Sequence, residues 1–329
     1  MILIYSIPLE STTSTVISWL NFYGKTWRRI NSIYFPYNSV EININNKSNY
    51  RQIGGGKLSE ITAVWYRRNP YKYTADLSSL KDQHLRDKVH KNMFSEVNSL
   101  HQSSFSYLSD RYWLSHPDKS SINKIEQLEV ATNCGLKIPD TLVTTSKSQL
   151  IKFNKKNKKI IIKAIQQMPF FKFEDENYVA YTQTVDDFEL YPDFFFPVLA
   201  QQYIEKELEV RAFFLEDKFY SMAIFSQSDP YTKIDFRRVD MKFPNRMVCF
   251  QLPKQIEVKL RKFMKIMNLN TGSFDLILSK NNQYFFLEVN PVGQFGMVSS
   301  PCNYYLEKEV AELLIKKSQE YEQKYQKEK

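Results

Sequence analysis

Apolar runs and helical stripes alternate along this chain, and their periods predict its elements. "ILIYSI" (2–7) is an apolar run of strand length. "STTSTVISWLNFYG" (11–24) then reads as a capped helix closed by Gly24. "AVWYRRNP" (63–70) predicts a short strand broken by proline, and 83–108 predicts a long helix with Val89, Met93, Val97 and Leu100 on one face. These elements make a small α/β module. A turn-rich stretch, "SHPDKSS" (115–121), ends it. "INKIEQLEVATNCGLKIPDTLVTT" (122–145) follows as a helix with Ile125, Leu128 and Ala131 inward, stopped by Gly135, and then a strand after Pro139. "KIIIKAI" (159–165) and "VLAQQYI" (198–204) are buried strands. "LEVRAFFLEDKFYSMAIF" (208–225) is a hairpin with Glu216 and Asp217 near its tip. "KQIEVKLRKFMKIMNL" (254–269) is an amphipathic helix, and "GSFDLILSKNNQYFFLEVN" (272–290) is a second hairpin that turns at Asn281-Asn282. "NYYLEKEVAELLIKK" (303–317) is a closing helix whose core face carries Leu306, Val310, Leu313 and Leu314. No internal repeat is present. The second half, antiparallel strands with helices against them, predicts an α+β architecture.

Composition narrows this picture. A chain of 329 residues suits two or three modules, and 43% apolar with 15% aromatic residues argues for a packed protein. Cys134, Cys249 and Cys302 are an odd set with no C-x-x-C spacing, which predicts reduced, buried thiols in an intracellular setting. Four scattered histidines and no paired thiols argue against zinc. The start, "MILIYSIPLESTTS", lacks a basic n-region and reads as a first strand, not a signal peptide. No stretch approaches the roughly eighteen apolar residues that span a bilayer, so a cytoplasmic protein without a membrane partner is expected. The net charge is +9, part of it in "KKNKKIIIK" (155–163). That run is a solvated turn before a strand, or a site for a polyanionic ligand or acidic peptide, and charge alone does not choose. It lacks the interleaved aromatics that stack bases, so no nucleic-acid partner is expected.

Candidate chemistry lies on the second hairpin. A turn centred between Asn281 and Asn282 sets Asp275 opposite Glu288, and the strand period of two puts Asn290 on the same face. Two carboxylates at cross-strand distance repel, and burying them unpaired costs more still. A divalent cation relieves both problems, and this hard oxygen set suits Mg²⁺ completed by water and substrate phosphates. The opposing reading is an exposed polar face. Ile277 and Phe286, expected on that same face, would gain nothing from facing water.

"FDLIL…YFFLEVNP" resembles the metal-binding hairpin of the ATP-grasp ligases, and upstream segments match that family in order over roughly 116–300, about half the chain. "NKIEQLEVATNCGLKIPDT" is similar to the helix that opens the central subdomain with a nucleotide-contacting lysine, here Lys124. "IIIKAI" places Lys163 at the family's second lysine. "QQYIEKELEVR" resembles the adenine hinge, so that Gln202, Tyr203 and Ile204 line the base and Glu209 takes the ribose hydroxyls. The resemblance implies an N-terminal α/β domain (1–115), a central lid-bearing domain (116–200) and a C-terminal antiparallel-sheet domain with the metal site (201–329). One departure is clear: the lid segment "AIQQMPFFKFEDENYVAY" (164–181) has no glycine where many members carry a glycine-rich loop.

"VWYRRN" and "LEVNPVGQFGMVSSPCNYYLEKEVAELL" further resemble the graspetide (microviridin-type) peptide macrocyclases, in their grasp-with-spasm subgroup. The resemblance implies ATP and Mg²⁺ as cofactors and a ribosomal precursor peptide, leader and core, as partner. Asp or Glu side chains would be activated as acyl phosphates and joined to Ser, Thr or Lys. Enzymes of the group are often dimers. Mg²⁺ on Asp275, Glu288 and Asn290 would bridge the β- and γ-phosphates, with Lys124 and Lys163 on phosphate oxygens. For Lys124 the bland alternative is a solvated lysine at a helix start. Arg211, two residues beyond Glu209, reaches the acyl phosphate or makes a structural salt bridge. Arg237 is the phosphate-contacting candidate, with Arg238 in reserve. Arg67 and Arg68 bind an acidic core peptide or pin the N-terminal domain. Gln294 and nearby aromatics shape the mouth of the site or pack the loop. Two other classes compete: a ligase adding amino acids to a peptide or protein terminus, and a non-catalytic peptide-binding protein.

Overall fold

The computed structural model describes residues 1–31, 40–68, 76–166, 170–174, 176–179, 181–227, 233–235 and 244–327. They fall into two compact units, one of Met1–Ser120 with Tyr305–Lys329 and the other of Ser121–Tyr304.

The first unit is built on a parallel sheet. Strand β1 (Ile2–Ser6) lies between β2 (Trp27–Asn31) and β6 (Ala63–Tyr66), with β7 (Tyr112–Leu114) outside β6. All of β1 is buried, as a parallel strand covered on both faces should be. The apolar run at the start of the chain is therefore a central strand. Helix α1 (Ser11–Phe22) returns the chain, capped by Glu10, whose carboxylate accepts from Thr13 N at 2.6 Å. A small antiparallel sheet of β3 (Glu41–Asn45), β4 (Ser48–Ile53) and β5 (Gly56–Lys57) follows β2, and the sequence pattern does not announce it. Helix α2 (Gln83–Tyr107) is the expected long helix. Its stripe of Val89, Met93, Val97 and Leu100 is only half-buried, and its buried contacts come later, at His101, Ser104 and Phe105. The closing helix α7 (Leu306–Lys327) lays Leu306, Val310, Ala311 and Leu314 into this unit against α1, while Leu313 is half-buried. Tyr23 Oη donates to Glu312 Oε1 at 2.6 Å across that contact.

The second unit opens with α3 (Lys124–Asn133), capped by Asn123. β8 (Thr141–Ser146), α4 (Lys147–Asn157), β9 (Ile160–Lys163) and a hairpin of β10 (Phe170–Phe173) and β11 (Glu176–Val179) come next. β12 (Gln183–Thr184) and β13 (Phe194–Gln202) complete a four-stranded antiparallel sheet in the order β12-β9-β13-β8, packed on Leu150 of α4. The glycine-free segment after Lys163 contains the β10–β11 hairpin. A five-stranded antiparallel sheet carries the rest: β14 (Lys206–Leu215), β15 (Lys218–Phe225), β16 (Arg246–Phe250), β17 (Thr271–Ser279) and β18 (Tyr284–Asn290), in the order β16-β15-β14-β17-β18. One face packs on α3 and α5 (Lys254–Met267) through Val210, Ala212, Leu260, Phe263, Phe274, Leu276, Phe286 and Val289. Helix α6 (Gly296–Cys302) follows β18. The three thiols are free as expected, but Cys249 is exposed and not buried, because it lies on the edge strand β16. Among the described residues no helix is long and apolar enough to cross a membrane.

Candidate active site

The face of the five-stranded sheet turned away from the α3–α5 core carries the polar residues. Cross-strand pairing lines up Arg211 on β14, Asp275 on β17 and Glu288 on β18 in a single row, and Ser273 pairs with Asn290 in the next. Asp275 thus meets Glu288 as expected, but by a different route. Near the turn the pairing runs Leu276 with Phe286 and Ile277 with Phe285. A β-bulge at Leu287, between the Leu276–Phe286 and Asp275–Glu288 pairs, then shifts the register by one. The bulge sends Phe286 to the opposite face, into the core at 1% exposure. Phe286 therefore does not share the carboxylate face, whereas Ile277 does. What keeps Glu288 beside Asp275 is the bulge as well as the turn.

The row runs cation, carboxylate, carboxylate, cation. Arg211 Nη1 donates to Asp275 Oδ1 at 2.9 Å, and Lys124 Nζ lies 3.1 Å from Glu288 Oε2. Asn290 Nδ2 donates to Glu288 Oε1 at 3.4 Å. The two facing carboxylates are each flanked on the outside by a cation, so the like-charge repulsion of a bare pair is compensated by side chains of the protein itself. All four charged side chains are mostly buried. Arg211 Nε is buried and without a partner among the described residues, one donor still unspent toward this face.

Lys124 Nζ also donates to Ala164 O at 3.3 Å, which brings the start of α3 to the end of β9, next to Lys163. Lys163 itself is half-buried and pairs with Leu199 of β13. Gln202 ends β13, with its backbone N–H on Asp140 O at 2.8 Å, and Tyr203 N donates to Lys159 O at 3.0 Å. The Lys159 ammonium sits 4.5 Å from the Tyr203 ring centre, and burial, then the Glu205 charge, pushes the Tyr203 phenol up. Ile204 is buried. Glu209 shares the face of Arg211 but is engaged by Lys206 Nζ at 2.9 Å and Ser226 Oγ at 2.7 Å. Lys206 also reaches Ile234 O at 3.0 Å, a network with no signal in the sequence beyond an i, i+3 spacing. Arg237 and Arg238 lie outside the described residues. Arg67 lies in the first unit, 2% exposed, with Nη2 3.2 Å from the Glu10 carboxylate. That pairing is within its own unit, from the residue just past β6 to the cap of α1. Gln294 is exposed, while Phe295 stacks on Phe213 at 4.6 Å and packs the loop after Asn290.

Gln127 is the residue that sequence reading missed. It is 3% exposed on α3, and its Oε1 accepts from Val289 N at 2.8 Å. Ile125, expected inward, is only half-buried. The inward stripe runs through Lys124, Gln127, Leu128 and Ala131, and a glutamine inside an apolar stripe was the available signal.

Among the described residues no three His, Cys, Asp or Glu side chains cluster as a metal site. Asp275 and Glu288 with the Asn290 carbonyl form instead a two-carboxylate oxygen set on one sheet face. That donor chemistry fits Mg²⁺, which keeps waters and substrate phosphates as its other ligands.

The architecture has solved counterparts. A RiPP-associated ATP-grasp ligase of Chryseobacterium gregarium, in complex with ADP and a leader and core peptide, superimposes with a TM-score of 0.81 at 24% identity over 96% of each chain. The macrocyclase MdnC of Microcystis aeruginosa MRC, bound with precursor peptide MdnA, gives 0.75 at 25% identity over 96% of this chain and 99% of MdnC. This chain has the ATP-grasp fold. A RimK domain ATP-grasp protein of Sphaerobacter thermophilus shares that fold more distantly, with a TM-score of 0.54 at 10% identity over 95% of this chain and 98% of its own. No family model matches the sequence. No curated protein matches it either. In ATP-grasp terms the row Arg211–Asp275–Glu288 occupies the polar face of the C-terminal sheet, and Lys124 closes its outer end.

Proposed function

We propose that this chain is an ATP-dependent carboxylate ligase acting on a ribosomal precursor peptide. Asp or Glu side chains of the core are activated as acyl phosphates and linked to Thr, Ser or Lys side chains as ω-esters or ω-amides. The observation that carries this reading is the carboxylate pair Asp275–Glu288, bracketed by Arg211 and Lys124, on the fold shared with ligases solved with ADP and precursor peptides.

A peptide carboxylate oxygen attacks the γ-phosphorus of ATP and ADP departs. The hydroxyl or amine then attacks the acyl carbon, phosphate leaves with the bonding pair, and the nucleophile loses its proton. No protein nucleophile is required, so the side chains act by position and charge. Asp275, Glu288 and Asn290 would hold Mg²⁺, which neutralises developing phosphate charge when bound. Arg211, with its unspent Nε, is the donor nearest that set for an acyl phosphate or substrate carboxylate. Lys124 bonds the carbonyl of Ala164, the residue after Lys163, and both lysines are assigned to phosphate oxygens. Gln202, Tyr203 and Ile204 are assigned to the adenine and Glu209 to the ribose hydroxyls. Sequence alone assigns Arg237 to phosphate. A cytoplasmic setting is expected, and a homodimer is compatible with this reading.

Incubation with ATP, Mg²⁺ and a precursor peptide encoded beside the gene tests the reading by mass. Loss of one water per link is expected. A gain of residue mass would instead identify a ligase that extends a peptide terminus, and no change in the peptide would point to binding alone.

A further inference from the structure

β18 is the edge strand of its sheet, and its outer side is held by α3 and the segment after it. In a regular edge strand, outward-pointing backbone N–H groups recur every second residue. Here they are three apart. Phe286 N donates to Lys137 O at 2.8 Å, and Val289 N donates to Gln127 Oε1 at 2.8 Å. The extra residue is the bulge between these two points. Without the bulge, Leu287 would face Asp275, and Glu288 would turn into the core against Phe274. Gln127 acts where this choice is made, on the N–H between Glu288 and Asn290. Lys124, one turn earlier on the same helix face, holds the Glu288 side chain. Val289 is 1% exposed, so its N–H has no water to turn to if the amide is removed.

We propose that Gln127 is a positioning residue for the Asp275–Glu288–Asn290 oxygen set. Its amide oxygen locks the bulged register of β18, which keeps Glu288 and Asn290 on the face of Asp275 while Phe286 and Val289 stay in the core. This inference rests on the metal reading given under Proposed function.

The test follows ADP binding by calorimetry across a Mg²⁺ titration and in EDTA, for the wild type, Gln127→Leu and Asp275→Asn. Hydrogen exchange of the β18 segment is followed in parallel. Gln127→Leu should raise the Mg²⁺ concentration for half-saturation about tenfold, as loss of groups behind metal ligands does. It should also speed exchange at Val289 and leave ADP affinity in EDTA unchanged. Gln127→Asn keeps a buried amide one methylene too short to reach, and gives the same pattern if the leucine variant fails to fold. A Mg²⁺ response within twofold of wild type in either folded variant would overturn the inference, as would equal weakening of ADP with and without Mg²⁺. If Asp275→Asn also leaves the Mg²⁺ response unchanged, the metal reading falls and this inference with it.

Discussion

Arg211 and Asp275 are the two residues whose coupling says most about the site. Their ion pair is mostly buried and sits beside a second carboxylate, Glu288. Removing Arg211 leaves two facing carboxylates with one cation fewer, a loss of about 3 kcal/mol for an uncompensated buried charge. Arg211→Ala should therefore lower stability in urea by about that amount. Adding Asp275→Asn should restore a good part of it, because the stranded charge is gone. Purely additive effects in this double-mutant cycle would show that the pair does not act as a unit. At this scale sequence reading was uneven. The types and spacing of Asp275, Glu288 and Asn290 marked them out, since polar residues in an apolar hairpin demand partners. Nothing in the spacing revealed that Arg211 and Lys124 are those partners in the folded chain. Phe286 was placed on the wrong face because a bulge leaves no residue signature there, and Gln127 was passed over as an ordinary helix residue. Gly293 shows the steric side of the same loop. A Cβ on it would lie 2.7 Å from that of Ser273 and 2.9 Å from Asn290 O, so only glycine lets "VGQFG" close onto β17.

Elements with a strong period were legible and weak ones were not. β1, α1, α5 and the β14–β15 and β17–β18 hairpins have clear apolar patterns and fold as those patterns predict. β3 and β4 are short and mostly polar, anchored by single contacts such as buried Ile53 and the Arg51 Nη1 bond to Ser103 O at 3.0 Å, so periodicity had little to detect. Helix α2 carries a different consequence. His101 near its end is 4% exposed, and burial lowers its pKa to about 4 from 6.5. The unfolded chain takes up that proton near 6.5 and the folded chain does not until about 4. Stability is therefore full above 6.5 and falls, by of order 3 kcal/mol, as pH drops through that window. The cap of α1 adds a loss below it. Burial pushes the Glu10 carboxyl up, but Arg67 and the Thr13 bonds outweigh this and hold it below 4.5. Urea unfolding of His101→Phe at the two ends of the window should show a much smaller pH dependence than the wild type. An unchanged slope would mean that His101 is not the group responsible.

At the scale of the whole molecule, two compact units share one chain, and Tyr305–Lys329 packs with the first. The amphipathic stripe of α7 was readable, but no sequence signal says which unit that stripe meets. The α+β architecture and the ATP-grasp resemblance were legible because the motifs occur in order, each on the predicted element. The proposed function requires that the carboxylate row drive nucleotide chemistry when a peptide is present. The most direct measurement is ADP release with ATP, Mg²⁺ and the precursor peptide, for the wild type and Asp275→Asn. Peptide-stimulated release by the wild type, reduced about a hundredfold or more in Asp275→Asn with its fold intact, is the expected result. Equal release by the two proteins, or no peptide-stimulated release by the wild type, would contradict it.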